Sequence, residues 1–137
     1  MNSQYALLAK DRVPSQSDWQ KSIDECGFDF KLDPDLKPFE DSGFLPCKLR
    51  DREAGFEIYY ETSAEALAEF NSIAPSATCS IEFTWGGEMI ECASAMIASY
   101  ALAKDFGATV SYEGEEPYSN LDQFLNDTKA IIEDALK

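Results

Sequence analysis

Residues 78–106 read TCSIEFTWGGEMIECASAMIASYALAKDF, and this segment decides the fold. Its first eight residues alternate between apolar and polar types, which predicts a β-strand. The apolar face of that strand carries Cys79, Ile81, Phe83 and Trp85. The Gly86-Gly87 pair that follows indicates a tight turn into the next element.

A helix is predicted from about residue 88 to residue 106. It carries no charge between Glu91 and Lys104, and five alanines lie in that interval. A helix that is apolar nearly all round is a buried one, and small side chains allow it to approach a sheet closely. We therefore expect this alanine-rich helix to be the central element of the core.

The rest of the chain adds shorter elements on both sides of this segment. An apolar run at 5–9, alternation at 28–32, a hairpin of 44–50 with 55–61 around a turn at 51–54, and residues 108–113 predict further strands. Capping residues Ser15, Thr62 and Ser119 predict the starts of three further helices. This order predicts one α+β domain over residues 1–137, with a mixed or mainly antiparallel sheet and helices mostly on one face.

Charge is the most unusual property of the composition. The chain has 11 basic and 26 acidic side chains, a net charge of −15. Residues 1–52 carry 8 basic and 10 acidic groups, whereas residues 53–137 carry 3 and 16. Such a surface repels phosphate backbones and anionic lipids, so no binding to nucleic acid or membrane is expected.

Residue types exclude several kinds of chemistry. The chain contains no histidine, which removes Ser-His and Cys-His nucleophilic systems and imidazole metal ligands. Its N-terminus lacks the basic start and apolar run of a signal peptide. The four cysteines form no Cys-x-x-Cys pair, so we expect reduced, mostly packed thiols and a cytoplasmic protein.

Acidic residues are concentrated between Arg52 and Lys104, where 51 consecutive residues contain no cation. They lie next to tyrosines, which suits an interface because a tyrosine ring supplies contact area while acids pair with Lys or Arg. The alternative is a solvated surface that only keeps the protein dissolved. The first candidates for contacts with a basic protein partner are Glu57, Tyr59, Glu61, Glu113, Glu115 and Glu116.

Metal, cofactor and phosphate sites are not expected. Acidic residues at 33–41 lack the spacing of a calcium loop, and Lys37 lies among them. Glu88 and Glu91 occupy the helix N-terminus after Gly86-Gly87, where a bound phosphate would sit. Abundant carboxylates leave open a pair for acid–base hydrolysis, but no particular pair stands out.

Two segments carry a resemblance to a known group of proteins. They are 42–60 (SGFLPCKLRDREAGFEIYY) and 83–93 (FTWGGEMIECA), and the similarity extends over about residues 43–112. The chain resembles small acidic immunity proteins of bacterial polymorphic and contact-dependent toxin systems. This resemblance implies a cytoplasmic, non-enzymatic protein that occludes the active site of a cognate toxin, often a nuclease, and it carries over no binding residues.

We therefore expect a non-enzymatic acidic binding protein, of the immunity type, for a basic partner. Two alternatives stay open at this point. One is a small carboxylate-based or metal-assisted hydrolase, and the other is a structural subunit of a larger assembly.

Overall fold

A computed structural model describes residues 1–137 and contains six strands and four α-helices, with one-turn 3₁₀ helices at Lys10–Arg12 and Ala68–Phe70. The strands are β1 (Asn2–Leu8), β2 (Phe30–Lys31), β3 (Gly43–Leu49), β4 (Arg52–Glu61), β5 (Cys79–Trp85) and β6 (Thr109–Tyr112). The helices are α1 (Gln16–Glu25), α2 (Ala64–Leu67), α3 (Met89–Asp105) and α4 (Leu121–Ala135).

All six strands form one antiparallel sheet in the order β2-β3-β4-β5-β1-β6. The amino-terminal strand β1 therefore lies between β5 and β6, and it is separated in the sheet from β2, the next strand in the sequence. The predicted α+β class is confirmed, and its sheet is antiparallel throughout.

Helix α3 is the centre of the core, as predicted from its alanines. Ten consecutive residues from Ala93 to Leu102 are buried, and the helix contacts β1, β3, β4, β5 and β6. Helices α1 and α4 pack against α3 rather than extensively against the sheet. The indole Nε1 of the buried Trp19 in α1 donates to the carbonyl oxygen of Ala98 in α3 at 3.0 Å, so the hydrogen bond joins the two helices and satisfies a buried polar group.

The sheet has an inner face, which packs on α3, and an outer face. Because side chains alternate along each strand, the register assigns every residue to one of the two. Ala6, Ile81 and Tyr60 form one cross-strand row on the inner face. The neighbouring row on the outer face is Tyr5, Glu82 and Tyr59.

One short segment covers part of the outer face. Residues of α2 and the Ala68–Phe70 turn cross it, and the ring of Phe70 packs on that of Tyr5 with centroids 4.9 Å apart. Phe70 is buried. The prediction that helices lie mostly on one face is therefore confirmed, with this short segment as the exception.

The hairpin turn predicted at 51–54 is wrong in position. Leu49 pairs with Arg52, so the turn consists of Arg50 and Asp51, and Arg50 takes a left-handed φ of 56°. A two-residue turn needs a positive φ at its first residue, or at both, to match the twist of the strands. The prediction failed because neither residue is the glycine or asparagine that normally marks such a turn.

Local side-chain contacts shift three other boundaries. Ser63 rather than Thr62 caps α2, and Asn120 rather than Ser119 caps α4. The strand predicted at 28–32 is reduced to β2, because the side chain of Gln20 replaces a strand partner. It donates to the carbonyl oxygen of Phe30 and accepts from the N–H of Leu32, both at 2.8 Å.

Gly55 is the glycine of the sheet that leaves the least room for a side chain. Its φ is 144°, and an added Cβ would meet the carbonyl oxygen of Leu45 and come within 2.8 Å of the Phe44 ring. We expect Gly55→Ala to lower the free energy of unfolding by about 2 kcal/mol, because the backbone oxygen of a paired strand cannot move away. Urea unfolding measures the effect.

Gly86→Ala is the matched control, since Gly86 has open space around it and an ordinary φ. We expect a change of less than about 0.5 kcal/mol there. Equal effects at the two glycines would contradict the close approach of β3 to position 55.

Candidate functional site

The candidate site lies on the outer face across β4, β5 and β1. Of the predicted contact residues, Glu57, Tyr59 and Glu61 all lie on the outer face of β4, because they alternate with buried Phe56 and Ile58. Their partners on β5 are Thr84, Glu82 and Ser80. The sheet thus adds a carboxylate, Glu82, opposite Tyr59.

Two hydrogen bonds hold tyrosines against carboxylates in this region. The hydroxyl of Tyr59 donates to Glu57 Oε1 at 2.5 Å, and the hydroxyl of Tyr5 donates to Glu82 Oε2 at 3.2 Å. The first bond raises the pKa of Tyr59. Burial, followed by the charge of Glu82, raises the pKa of Tyr5, so both hydroxyls stay protonated donors at neutral pH.

A cleft of about 230 Å³ opens between these strands and the α2 segment. We call it the outer cleft. Aromatic and acidic side chains share its walls, and the buried Ser80 lies at its base. Its side-chain walls are formed by Tyr5, Tyr59, Glu61, Glu69, Phe70 and Glu82.

The carboxylates of the outer cleft take part in no salt bridge. The structure contains four salt bridges, Lys31–Asp24, Lys48–Glu53, Lys104–Asp105 and Lys137–Asp134. None of them involves a carboxylate of the cleft. Two arginines of the first 52 residues are used elsewhere, where they donate to carbonyl oxygens at helix C-termini. Arg12 contacts the end of α3, and Arg52 contacts the end of α4.

Glu61 has a structural role in addition to its position in the cleft. Its Oε1 accepts hydrogen bonds from the backbone N–H groups of Thr62 and Ser63, both at 3.0 Å. Hydrogen bonding by Ser63 and then Thr62 lowers the pKa of the Glu61 carboxyl despite a small opposing effect of burial. The residue fixes the turn that leads from β4 into α2.

The other predicted residues lie at the far edge of the sheet. Glu113 follows β6 with a left-handed φ of 57°, and its Oε1 accepts from the N–H of Ser3 at 2.8 Å. Ser3 and Thr84 connect it in one row to Glu57, three strand spacings or about 14 Å away. Glu115 and Glu116 are exposed in the loop beyond.

The negative surplus of residues 53–137 is therefore not gathered in one place. Glu57, Glu61, Glu69 and Glu82 share the outer face, and Glu113 lies at its edge. Helix α4, which packs on α3 at the inner side of the sheet, carries Asp122, Asp127, Glu133 and Asp134. The sequence showed that residues 53–137 carry most of the excess negative charge. It did not show which of these acids lie on the outer face and which lie on α4.

Sequence reasoning missed Tyr5 and Glu69 as site residues, and it did not single out Glu82. The alternation of β5 already placed Glu82 opposite the buried Ile81 and Phe83, so that signal was present. Tyr5 carried no such signal, because only the strand order β4-β5-β1 brings it beside Glu82. Glu69 depends on how the short α2 segment folds back over the sheet.

The cysteines show no features of nucleophilic sites. All four are unpaired. Burial raises the pKa of Cys47 to about 12 and that of Cys79 to about 11, and it also raises the pKa of Cys26 and Cys92. Thiols shifted in this direction carry little reactive thiolate at neutral pH.

Side chains of the His, Cys, Asp and Glu types nowhere form a group of three or more suited to hold a metal ion. None of the helices has the length and apolar character needed to span a membrane. Comparison with protein-family models, curated proteins and solved structures finds no match.

Glu61 provides a pH-dependent test of the turn after β4. Its pKa in the folded protein lies below the ordinary value of 4.5, so the ionised carboxylate stabilises the fold at neutral pH and this contribution is lost as the pH falls below about 4.5. We expect Glu61→Gln to lower the free energy of unfolding at pH 7, with a difference from wild type that shrinks toward pH 3. Urea unfolding over this range measures it.

Glu116→Gln is the control, because Glu116 is exposed and accepts no hydrogen bond from the protein. It is expected to leave the unfolding free energy unchanged at both pH values. If the difference in unfolding free energy between wild type and Glu61→Gln stayed constant down to pH 3, the role of the ionised carboxylate would be contradicted.

Proposed function

We propose that this chain is a non-enzymatic binding protein whose outer face docks on a basic protein. The partner chemistry fits a toxin domain whose cationic active site the chain occludes, as the resemblance to immunity proteins implies. Four unpaired thiols support the further proposal that it acts in the cytoplasm, where thiols stay reduced.

The observation that carries the proposal is a set of carboxylates on β4, β5 and the α2 segment that form no salt bridge, whereas Glu53 at the other end of the outer face is paired with Lys48. Glu57, Glu69 and Glu82 form no salt bridge, and Glu61 shares their surface. Like charges this close repel one another, which costs stability in the free protein. A cationic partner surface offsets that repulsion and accelerates encounter.

Tyrosine supplies the second ingredient of a protein interface. Tyr59 is 37% exposed, and its hydroxyl is fixed by Glu57. Phe44, which pairs with Glu57 on the next strand, is 58% exposed. Aromatic rings flanked by charges give contact area at low entropic cost, so this part of the sheet suits a docking surface better than a merely solvated one.

The segments that carry the resemblance contribute both to the core and, through Phe44, Glu57 and Tyr59, to the outer face. In 83–93, Phe83, Trp85 and Ala93 are buried, and in 42–60 Leu45 and Phe56 are buried. The resemblance carries over no binding residues, so the assignment of contact residues rests on the geometry of the outer face.

One observation favours a second candidate function. Glu61, Glu69 and Glu82 all line a single cleft, and a carboxylate-based hydrolase needs acids that share a cleft. A hydrolase would lose its activity with one substitution, whereas a docking surface loses affinity gradually as charges are removed. The binding experiment below, repeated with the single variants, tests the gradual loss of affinity that a docking surface predicts.

Removal of three charges from the outer face tests the docking proposal. The variant combines Glu57→Gln, Glu69→Gln and Glu82→Gln, and keeps Glu61 because of its structural role. Tagged wild type is expected to retain a basic protein from extracts of the source organism at about 0.05 M salt and to release it at about 0.5 M. The triple variant is expected to bind that protein at least about tenfold more weakly.

The matched control removes the same charge elsewhere, with Glu25→Gln, Asp35→Asn and Glu133→Gln at exposed positions. It is expected to keep most of the wild-type affinity. Equal loss of affinity in both triple variants would show that the effect comes from net charge alone. Unchanged binding by the outer-face variant would contradict the proposed surface.

A further inference from the structure

One buried hydroxyl in the outer cleft has no partner in the chain. Ser80 occupies an outer-face position of β5, forms the base of the cleft and is 4% exposed. Its Oγ takes part in no hydrogen bond, yet it is not closed off completely, as the orphaned hydroxyl oxygens of Tyr60 and Thr84 are. The surface that Ser80 keeps lies in the cleft. A hydroxyl with so little access to water gains from a partner placed there, which points to an occupant that reaches the base.

The groups around Ser80 offer acceptors rather than donors. Glu61 lies directly opposite it on β4, and Glu82 lies two residues along β5, about 7 Å away on the same face. One oxygen of each carboxylate, Glu61 Oε2 and Glu82 Oε1, accepts no hydrogen bond within the chain. Glu69 adds a third carboxylate from the Ala68–Phe70 turn. An occupant therefore has to supply several donors, spread over the width of the cleft.

The carboxylates of the cleft act on one place. Burial is the first cause that raises the pKa of Tyr5, and the charge of Glu82, its hydrogen bond and the charge of Glu69 follow. Glu69 and Glu82 thus face the same wall of the cleft although they lie on different elements. Neither of them forms a salt bridge, and nor does Glu61. The occupant that such a set of charges favours is a cation.

Aromatic rings line the same space. Tyr5 and Tyr59 come from the sheet and Phe70 from the turn that crosses it, and the rings of Tyr5 and Phe70 have centroids 4.9 Å apart. Aromatic faces attract cations. A guanidinium is planar, stacks on such rings and carries five N–H donors in a fork, whereas an ammonium is a compact and strongly hydrated point charge. The rings and the separated acceptors together therefore select a guanidinium.

The size of the cleft indicates where this guanidinium comes from. Its volume of about 230 Å³ is below the range of about 300–1,000 Å³ that is usual for small-molecule sites. A space of this size holds the end of one long side chain. An arginine can place its charged group at the base while its methylene stem packs against the rings. The cleft opens on the outer face, so a protein that docks there can insert such a side chain.

We propose, on the basis of the function proposed above, that the outer cleft receives the guanidinium of one arginine side chain of the basic partner. The acceptors are Ser80 Oγ and the carboxylates of Glu61, Glu69 and Glu82. Glu57 lies outside the cleft and contributes only to the general attraction of the surface.

Single amino-acid probes test the cleft without the partner. Nα-acetyl-arginine amide and Nα-acetyl-citrulline amide form a matched pair, because citrulline keeps the length and planar end of arginine but has no charge. We expect the arginine probe to cause saturable ¹H–¹⁵N shifts at Tyr5, Tyr59 and Ser80 of the full-length protein, with the side-chain N–H of the buried Trp19 as an unchanged reference. Nα-acetyl-lysine amide is expected to bind at least about threefold more weakly, and the citrulline probe at least about tenfold more weakly.

Ser80→Ala tests the hydroxyl at the base of the cleft. It is expected to weaken binding of the arginine probe at least about threefold. The urea midpoint is expected to stay unchanged, because the hydroxyl has no partner in the chain to lose. An unchanged affinity for the arginine probe, or a lowered midpoint, would overturn the role of Ser80.

Ala66→Phe blocks the cleft without a change of charge, because Ala66 lines it. The control Ala64→Phe places the same ring at an exposed position of α2 that does not line the cleft. We expect Ala66→Phe to abolish saturable binding of the arginine probe and to weaken binding of the partner at least about tenfold, and Ala64→Phe to change neither. Equal affinity of the arginine and citrulline probes for wild type, or shifts that persist in Ala66→Phe, would overturn the site.

Failure of the cleft and failure of the docking function give different results. Arginine-selective binding by the cleft without capture of any basic protein would support the selectivity of the cleft and contradict the proposed function. Capture of a basic protein that Ala66→Phe binds as tightly as wild type would support the function and overturn the arginine anchor.

Discussion

Close packing of α3 on one face of the antiparallel sheet is the constraint on which the rest of the structure depends. The helix can lie this near because its buried stretch from Ala93 to Leu102 is rich in alanine and serine. Once that face is covered, the two-residue period of each strand sends every second side chain to the opposite side. The location of the acids and tyrosines on the outer face follows directly from this alternation.

The carboxylates on the outer face repel one another, and the stability of the core allows the fold to tolerate this repulsion. Glu57, Glu69 and Glu82 lie together without cations because burial on the inner face, and not ion pairing, holds the strands in place. Hydrogen bonds from Tyr5 and Tyr59 order two of these carboxylates but do not neutralise them. The part of the outer face on β4 and β5 is therefore ordered and negative, which is the combination that a rigid docking site for a basic protein needs.

Much of the scaffold was predictable from sequence, because the spacing of apolar residues along a strand or helix indicates which side chains are buried. The buried α3 and the inner faces of β4 and β5 were read from residues such as Ile58 and Phe83. The strand order was not, since antiparallel neighbours distant in sequence leave no local pattern, and this is why Tyr5 was missed. The turn at Arg50 and Asp51 lacked the usual turn residues.

Site-specific photo-crosslinking in living cells of the source organism tests the docking surface most directly. Benzoylphenylalanine at Phe44, an exposed aromatic position beside Glu57, reports on the outer face, and the same group at the exposed Leu121 of α4 reports on the other side. The account predicts a crosslink from position 44 to one basic protein, identified by mass spectrometry, and none to that protein from position 121. Equal crosslinking from both positions, or crosslinks from position 44 only to acidic proteins, would contradict it.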